Sequence, residues 1–186
     1  MMLSLEPSFA ERLKLAAIAM VILFAILTVS ASIPPSFEEL GNLSKEAETL
    51  FEKEWGVLDV WANNELITLL TYIPFIGLGV GGFIVFHTGR LFAWLGAEIG
   101  IHPVLLIMLA IITVYGLVEF MAYGFAFSQS MILSYTILTR GDVKTELKWT
   151  LISIGIATIL LLVAAWIEVS LIEFSEEFLG TILLGG

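Results

Sequence analysis

One carboxylate stands where it should be most costly. Between Val104 and Thr139 the only formally charged side chain is Glu119, within Tyr115-Gly116-Leu117-Val118-Glu119-Phe120-Met121-Ala122. On insertion scales a charged side chain at a bilayer's centre costs about 2.5–3.5 kcal/mol, so it ordinarily faces protein or water and has a partner. Helical spacing puts Tyr115, Gly116, Ala122, Tyr123, Ala126 and Ser130 on or near the face of Glu119. Three uses follow for such an acid: a hydrogen bond that fixes a neighbouring span, passage of an ion or proton, or contact with a ligand. His87, Glu98 and His102 are the other ionisable groups close to the apolar stretches. With Glu119 they offer donors that suit a metal, but their spacing matches no ligand signature, and no metal is expected.

Composition sets the surroundings of that acid. The 186 residues are 59% hydrophobic and 14% charged, against about 25% charged in soluble domains. The expected class is an all-α integral membrane protein, one membrane domain over 1–186. A net charge of −10 argues against nucleic acid, which needs a basic footprint. Without cysteine there is no disulfide and no thiolate chemistry.

About 20 residues of helix cross a bilayer, and five membrane segments are expected on that scale, over about 13–33, 66–86, 91–115, 117–138 and 149–166. The first is longer than the apolar core of a signal peptide and reads as a retained span. Pro34-Pro35 ends it, and Ser36-Phe37-Glu38-Glu39 has the spacing of a capping box. The acidic loop 34–62 then reads as an amphipathic helix outside the bilayer. Gly77 and Gly81 form a small-xxx-small face for close helix packing, within the chain or between copies. His87-Thr88-Gly89-Arg90 reads as a turn, and 104–114 is short enough to cross or to re-enter before Gly116. The acidic tail 170–186 reads as an interfacial helix. Lys and Arg gather in cytoplasmic loops, so Arg12, Lys14, Arg90, Arg140, Lys144 and Lys148 predict a cell-membrane protein with its N-terminus inside and its C-terminus outside.

Enzyme chemistry has no support. No His and Asp accompany the serines in a recognisable order, and Gly79-x-Gly81-Gly82 lacks the Lys-Ser/Thr of a phosphate loop. No catalytic residue and no cofactor are expected.

Over roughly 60–130 the chain resembles the stage II sporulation protein M family of small multipass membrane proteins. Asn63-Asn64 matches the family's Asn-Asn pair at the entry of the second span, and His87-Thr88-Gly89 occupies its polar turn. Tyr115-Gly116-Leu117-Val118-Glu119-Phe120-Met121-Ala122 matches its His-Gly-x-x-Glu-x-x-Ala element, with Tyr115 in place of the His. The resemblance implies a membrane scaffold that holds partners and performs no hydrolysis itself. The expected function is therefore a self-associating scaffold. It would dock an extracytoplasmic protein through Glu38, Glu39, Glu46, Glu48 and Glu52. The alternative is a small channel or transport component, for an ion or a vitamin-type substrate, built on Glu119 and the interrupted helix at Gly116.

Overall fold

A computed structural model of the chain describes residues 7–51 and 53–184, and the side chains within 7–50 and 53–175. Among the described residues it is all helical, with seven helices and no strand. Three are long and apolar enough to cross a membrane, and a bent pair makes a fourth if it is counted as one span. Large apolar side chains such as Val21, Phe83, Leu151 and Ile159 point outward, as lipid-facing positions do.

The first helix, α1 (Phe9–Ser32), starts at a capping box in which Ser8 and Glu11 satisfy each other's backbone N–H. Pro34-Pro35 ends it as expected, and Ser36 opens α2 (Phe37–Phe51) with the predicted reciprocal cap, Glu39 N–H donating to Ser36 Oγ at 3.2 Å. The short α2 packs on α4 with Leu43 and Ala47 buried.

The first large departure is the expected span 66–86. The structure places a turn inside it: α3 (Val57–Thr71) stops, and α4 (Ile76–Ile99) runs back beside it. Pro74 explains the break, since proline lacks an N–H and disfavours helix in the residue before it. Phe75 follows with φ +66° as the centre of a γ-turn, Ile76 N–H donating to the Pro74 carbonyl at 2.8 Å. Two serines of α6 (Val114–Leu138) hold this bend. Ser134 Oγ accepts from Phe75 N–H at 2.8 Å, and Ser130 Oγ donates to the Ile73 carbonyl at 3.0 Å. Backbone groups that have no place in hydrocarbon are thereby satisfied. At 15 residues α3 is about 22 Å long, shorter than a bilayer's hydrocarbon core.

The expected segment 91–115 dissolves for the same reason. Residues 91–99 continue α4, which ends at Gly100 in the left-handed conformation, φ +71°. His87-Thr88-Gly89-Arg90 is thus no turn but lies within α4. Gly89 serves close approach there: a Cβ on it would sit 1.8 Å from Ser30 Oγ and 2.5 Å from the Leu27 carbonyl of α1.

His102 caps α5 (Pro103–Ile112), with Pro103 at its first position. A 91° bend then separates α5 from α6. The break falls at Thr113, just ahead of the expected Tyr115-Gly116. Gly116 is needed beside it, because a Cβ there would lie 2.2 Å from the Ala110 carbonyl.

Finally α7 (Val143–Leu184) is one unbroken helix. The expected span 149–166 and the expected interfacial tail are continuous through residue 184. The α6 helix is the axis of the bundle, packed on α1, α3 and α7. One apolar core joins Leu23, Leu27, Val85 and Ile107, and a second joins Tyr72, Ala122, Ala126, Ala157 and Leu161.

Candidate functional site

Glu119 lies in the second turn of α6, and its partner comes from α3. Asn64 Nδ2 donates to Glu119 Oε1 at 2.6 Å. The two residues are 55 positions apart in the chain, and α3 is held at this depth by further polar contacts to α7. Thr158 donates to Glu65 Oε1 at 2.6 Å, and Tyr72 and Ser153 share a hydrogen bond of 2.8 Å. A part-buried acid hydrogen-bonded to a neighbouring helix is one of the uses its position allowed.

The acid also faces a cavity. A space of about 370 Å³ lies between α1, α3, α4, α5, α6 and α7, within the range of small-molecule sites, about 300–1,000 Å³. Its polar wall is Asn63, Asn64, Tyr115, Glu119 and Glu168, with Thr71 and Thr88 further along. The remainder is apolar and aromatic, from Leu23 and Leu27 to Phe120 and Phe127. The bend at Thr113 opens this space, because it carries α5 away from the axis of α6 and leaves Ile107, Ala110 and Ile111 as one wall. No Lys, Arg or His among the described residues lines it.

Of the expected site residues, the structure gathers Asn63, Asn64, Tyr115, Gly116 and Glu119 around this one cavity. The Asn-Asn pair and the Gly-x-x-Glu element, distant in sequence, are thus neighbours. Gly81 contributes to the wall, while Gly77 packs against the end of α3, where a Cβ would lie 2.0 Å from the Thr71 carbonyl. The small-residue face of α4 is occupied within the chain. Ala122 is fully buried in the second core and does not line the cavity. His87 is also elsewhere: it is half-exposed and its Nε2 meets Glu46 at 2.8 Å. Glu98 and His102 do not share a helix, since α4 ends between them. Among the described residues no three His or acidic side chains come together in a way that would hold a metal.

Two of the acids expected to face a partner are paired within the protein, Glu46 with His87 and Glu39 with Arg90. Glu39 grips Arg90 of α4 in a fork, Oε1 to Nε at 2.7 Å and Oε2 to Nη2 at 3.0 Å. Arg90 also donates to the Ser30 and Ile33 carbonyls at the end of α1, both at 2.5 Å. One guanidinium therefore ties α1, α2 and α4, and its hydrogen bond and charge hold the Glu39 carboxyl below the ordinary range. Arg90, expected in a loop at the N-terminal end of the bundle, sits at the end where α2 lies. Glu38 and Glu48 remain exposed, and Glu52 lies outside the described residues.

A second polar centre escaped the sequence reading. Near the start of α1, Arg12 Nη2 and Nη1 meet both oxygens of Glu146 at 2.6 and 2.9 Å. Gln129 Oε1 accepts from Arg12 at 3.0 Å, and its amide donates to Glu146 at 3.2 Å and to Thr150 at 3.1 Å. The Trp149 ring lies against the guanidinium, 4.8 Å from ring centre to Cζ. All four polar residues are buried, Glu146 to 1% exposure. The available signals were that Gln129 is the chain's single glutamine, set in an apolar run, and that Glu146 lies between Lys144 and Lys148.

No family model, curated protein or solved structure matches this chain.

Proposed function

We propose that the chain is a non-enzymatic membrane protein that binds a small ligand in the Glu119 cavity, as a binding or transport component. The observation that carries this reading is an intramembrane carboxylate that keeps one hydrogen-bonding partner, Asn64, and otherwise faces open space. An acid needed only to pin helices would be enclosed, as Glu146 is. In this reading α1, α3, α4, the α5–α6 pair and α7 make five passes in alternation, α3 being the short one. Arg12, Lys14, Arg140, Lys144 and Lys148 then mark the cytoplasmic end. The acidic α2, the cavity's polar wall and the C-terminus lie towards the outside. The test is native mass spectrometry from mild detergent. Wild type should carry a bound small molecule that Glu119→Gln lacks; identical, empty spectra for both proteins would sink the reading.

A second reading keeps the scaffold suggested by the resemblance. It is favoured by Phe37, 94% exposed at the start of α2 beside exposed Glu38, since an unburied ring next to an acid suits a protein contact. Self-association would then use a lipid-facing surface, since the Gly77–Gly81 face packs on Thr71. Charge reversal at Glu38 and Glu48 should abolish a crosslinked partner while the bundle stays folded. An unchanged crosslinking pattern would remove this reading.

A further inference from the structure

Resting on the cavity reading, we infer that the occupant is an organic monocation: an ammonium head held by Glu119 and Glu168, with an apolar body against the α1 and α5 walls. Two carboxylates of different helices face one cavity, and no base lines it. Among the described residues the two buried basic side chains are engaged elsewhere, Arg12 with Glu146 and Gln129, Arg90 with Glu39 and two carbonyls. Glu168 makes no hydrogen bond or ion pair among the described residues, and Glu119 has Asn64 alone. When ionised, a carboxyl of that kind in a low-dielectric site calls for a counter-charge, which a cationic ligand supplies.

The rest of the wall decides which cation fits. Divalent metals take six or more oxygen ligands, or nitrogen and sulfur donors in close array, and this wall is mostly hydrocarbon. Aromatic rings instead flank the acid: Tyr115, Phe120 and Tyr123 lie on the faces adjoining Glu119, with Phe120 and Tyr123 edge to face at 6.1 Å. Rings beside an acid attract alkylammonium heads through the negative face of the π-system. The far wall, Leu23, Leu27 and Ile107, offers only apolar contact. An anion is repelled by the two carboxylates.

The probe is benzyltrimethylammonium, titrated calorimetrically into the full chain in phosphatidylglycerol nanodiscs, which present no amine headgroup. The expected result is saturable binding that weakens about tenfold or more in Glu119→Gln and in Glu168→Gln. The neutral isostere neopentylbenzene should bind more weakly by a similar factor, and benzenesulfonate not at all. Glu168→Gln removes a charge without removing a hydrogen bond, so it serves if Glu119→Gln fails to fold. Equal binding of cation and neutral isostere, insensitive to both substitutions, would overturn the cation while leaving the cavity reading intact. Absence of binding by every probe would overturn both. Repeating the titration in discs diluted with phosphatidylethanolamine, against discs diluted equally with a neutral glycolipid so that surface charge matches, separates the sources. A lowered apparent affinity makes the cation a lipid headgroup, and an unchanged one makes it a free solute; either outcome upholds the class.

Discussion

Glu146 and Glu119 are both carboxylates inside an apolar helical bundle, and the chain treats them differently. Around Glu146 every polar group is answered within the protein: two bonds from one guanidinium, one from Gln129, and Thr150 closing the ring. Around Glu119 there is one amide, a second acid on α7, and empty volume. The first arrangement is a joint that locks α1, α6 and α7 at the basic end. The second is a carboxyl that no basic side chain among the described residues answers. Burial alone therefore does not separate the two acids; the completeness of their surroundings does.

The largest effect expected from that contrast is at the joint. Glu146→Gln, or Arg12→Met, leaves an uncompensated buried charge and should cost about 3–5 kcal/mol in unfolding experiments. The double replacement Arg12→Met with Glu146→Leu should recover most of that loss, because the pair is then absent together. A double variant as unstable as the singles would mean the pair contributes more than mutual neutralisation.

Packing separates the ends next. Gly77→Ala should destabilise by about 1–3 kcal/mol, the usual range for overpacking, since its Cβ would meet the Thr71 carbonyl at 2.0 Å. Gly79→Ala, with nothing within 4 Å of the new Cβ, should be neutral. Equal losses at both would refute the α3–α4 contact.

Acid should act selectively on α2. The Glu39 carboxyl titrates below its unfolded value, so its contribution is present above about pH 4.3, the ordinary glutamate value, and fades as pH falls through the lower folded value. Hydrogen exchange should show α2 loosening at low pH while α6 and α7 remain protected. Arg90→Ala should loosen α2 at neutral pH as well.

The smallest stability effect belongs to the cavity. Glu119→Gln keeps an acceptor for Asn64 and removes a charge that no base in the bundle compensates, so stability should hold or rise slightly while any ligand-dependent stabilisation disappears.

Much of the helical content was legible because caps and prolines are local signals. Ser36 with Glu39 and Pro34-Pro35 mark ends that the structure keeps. Glu119 stood out by isolation, and Asn63-Asn64 by the resemblance. What could not be read was pairing across the chain. Arg12 meets Gln129 and Glu146 at separations of 117 and 134 positions, and each of the two charges reads in isolation as a loop residue. The same limit misplaced the span at 66–86. The γ-turn at Phe75 is tolerable only because Ser130 and Ser134, on a distant helix, answer its backbone. Arg90 was misassigned since a charge count cannot tell a loop arginine from one bound to Glu39.

The most direct test of the contrast is thermal unfolding of wild type, Glu146→Gln and Glu119→Gln in identical phosphatidylglycerol nanodiscs, each with and without benzyltrimethylammonium. Glu146→Gln should unfold at a markedly lower temperature yet still be stabilised by the probe. Glu119→Gln should unfold near wild type and lose the probe's effect. The reverse pattern, with Glu119→Gln unstable and Glu146→Gln unchanged, would contradict the division of the bundle into a closed joint and an open site.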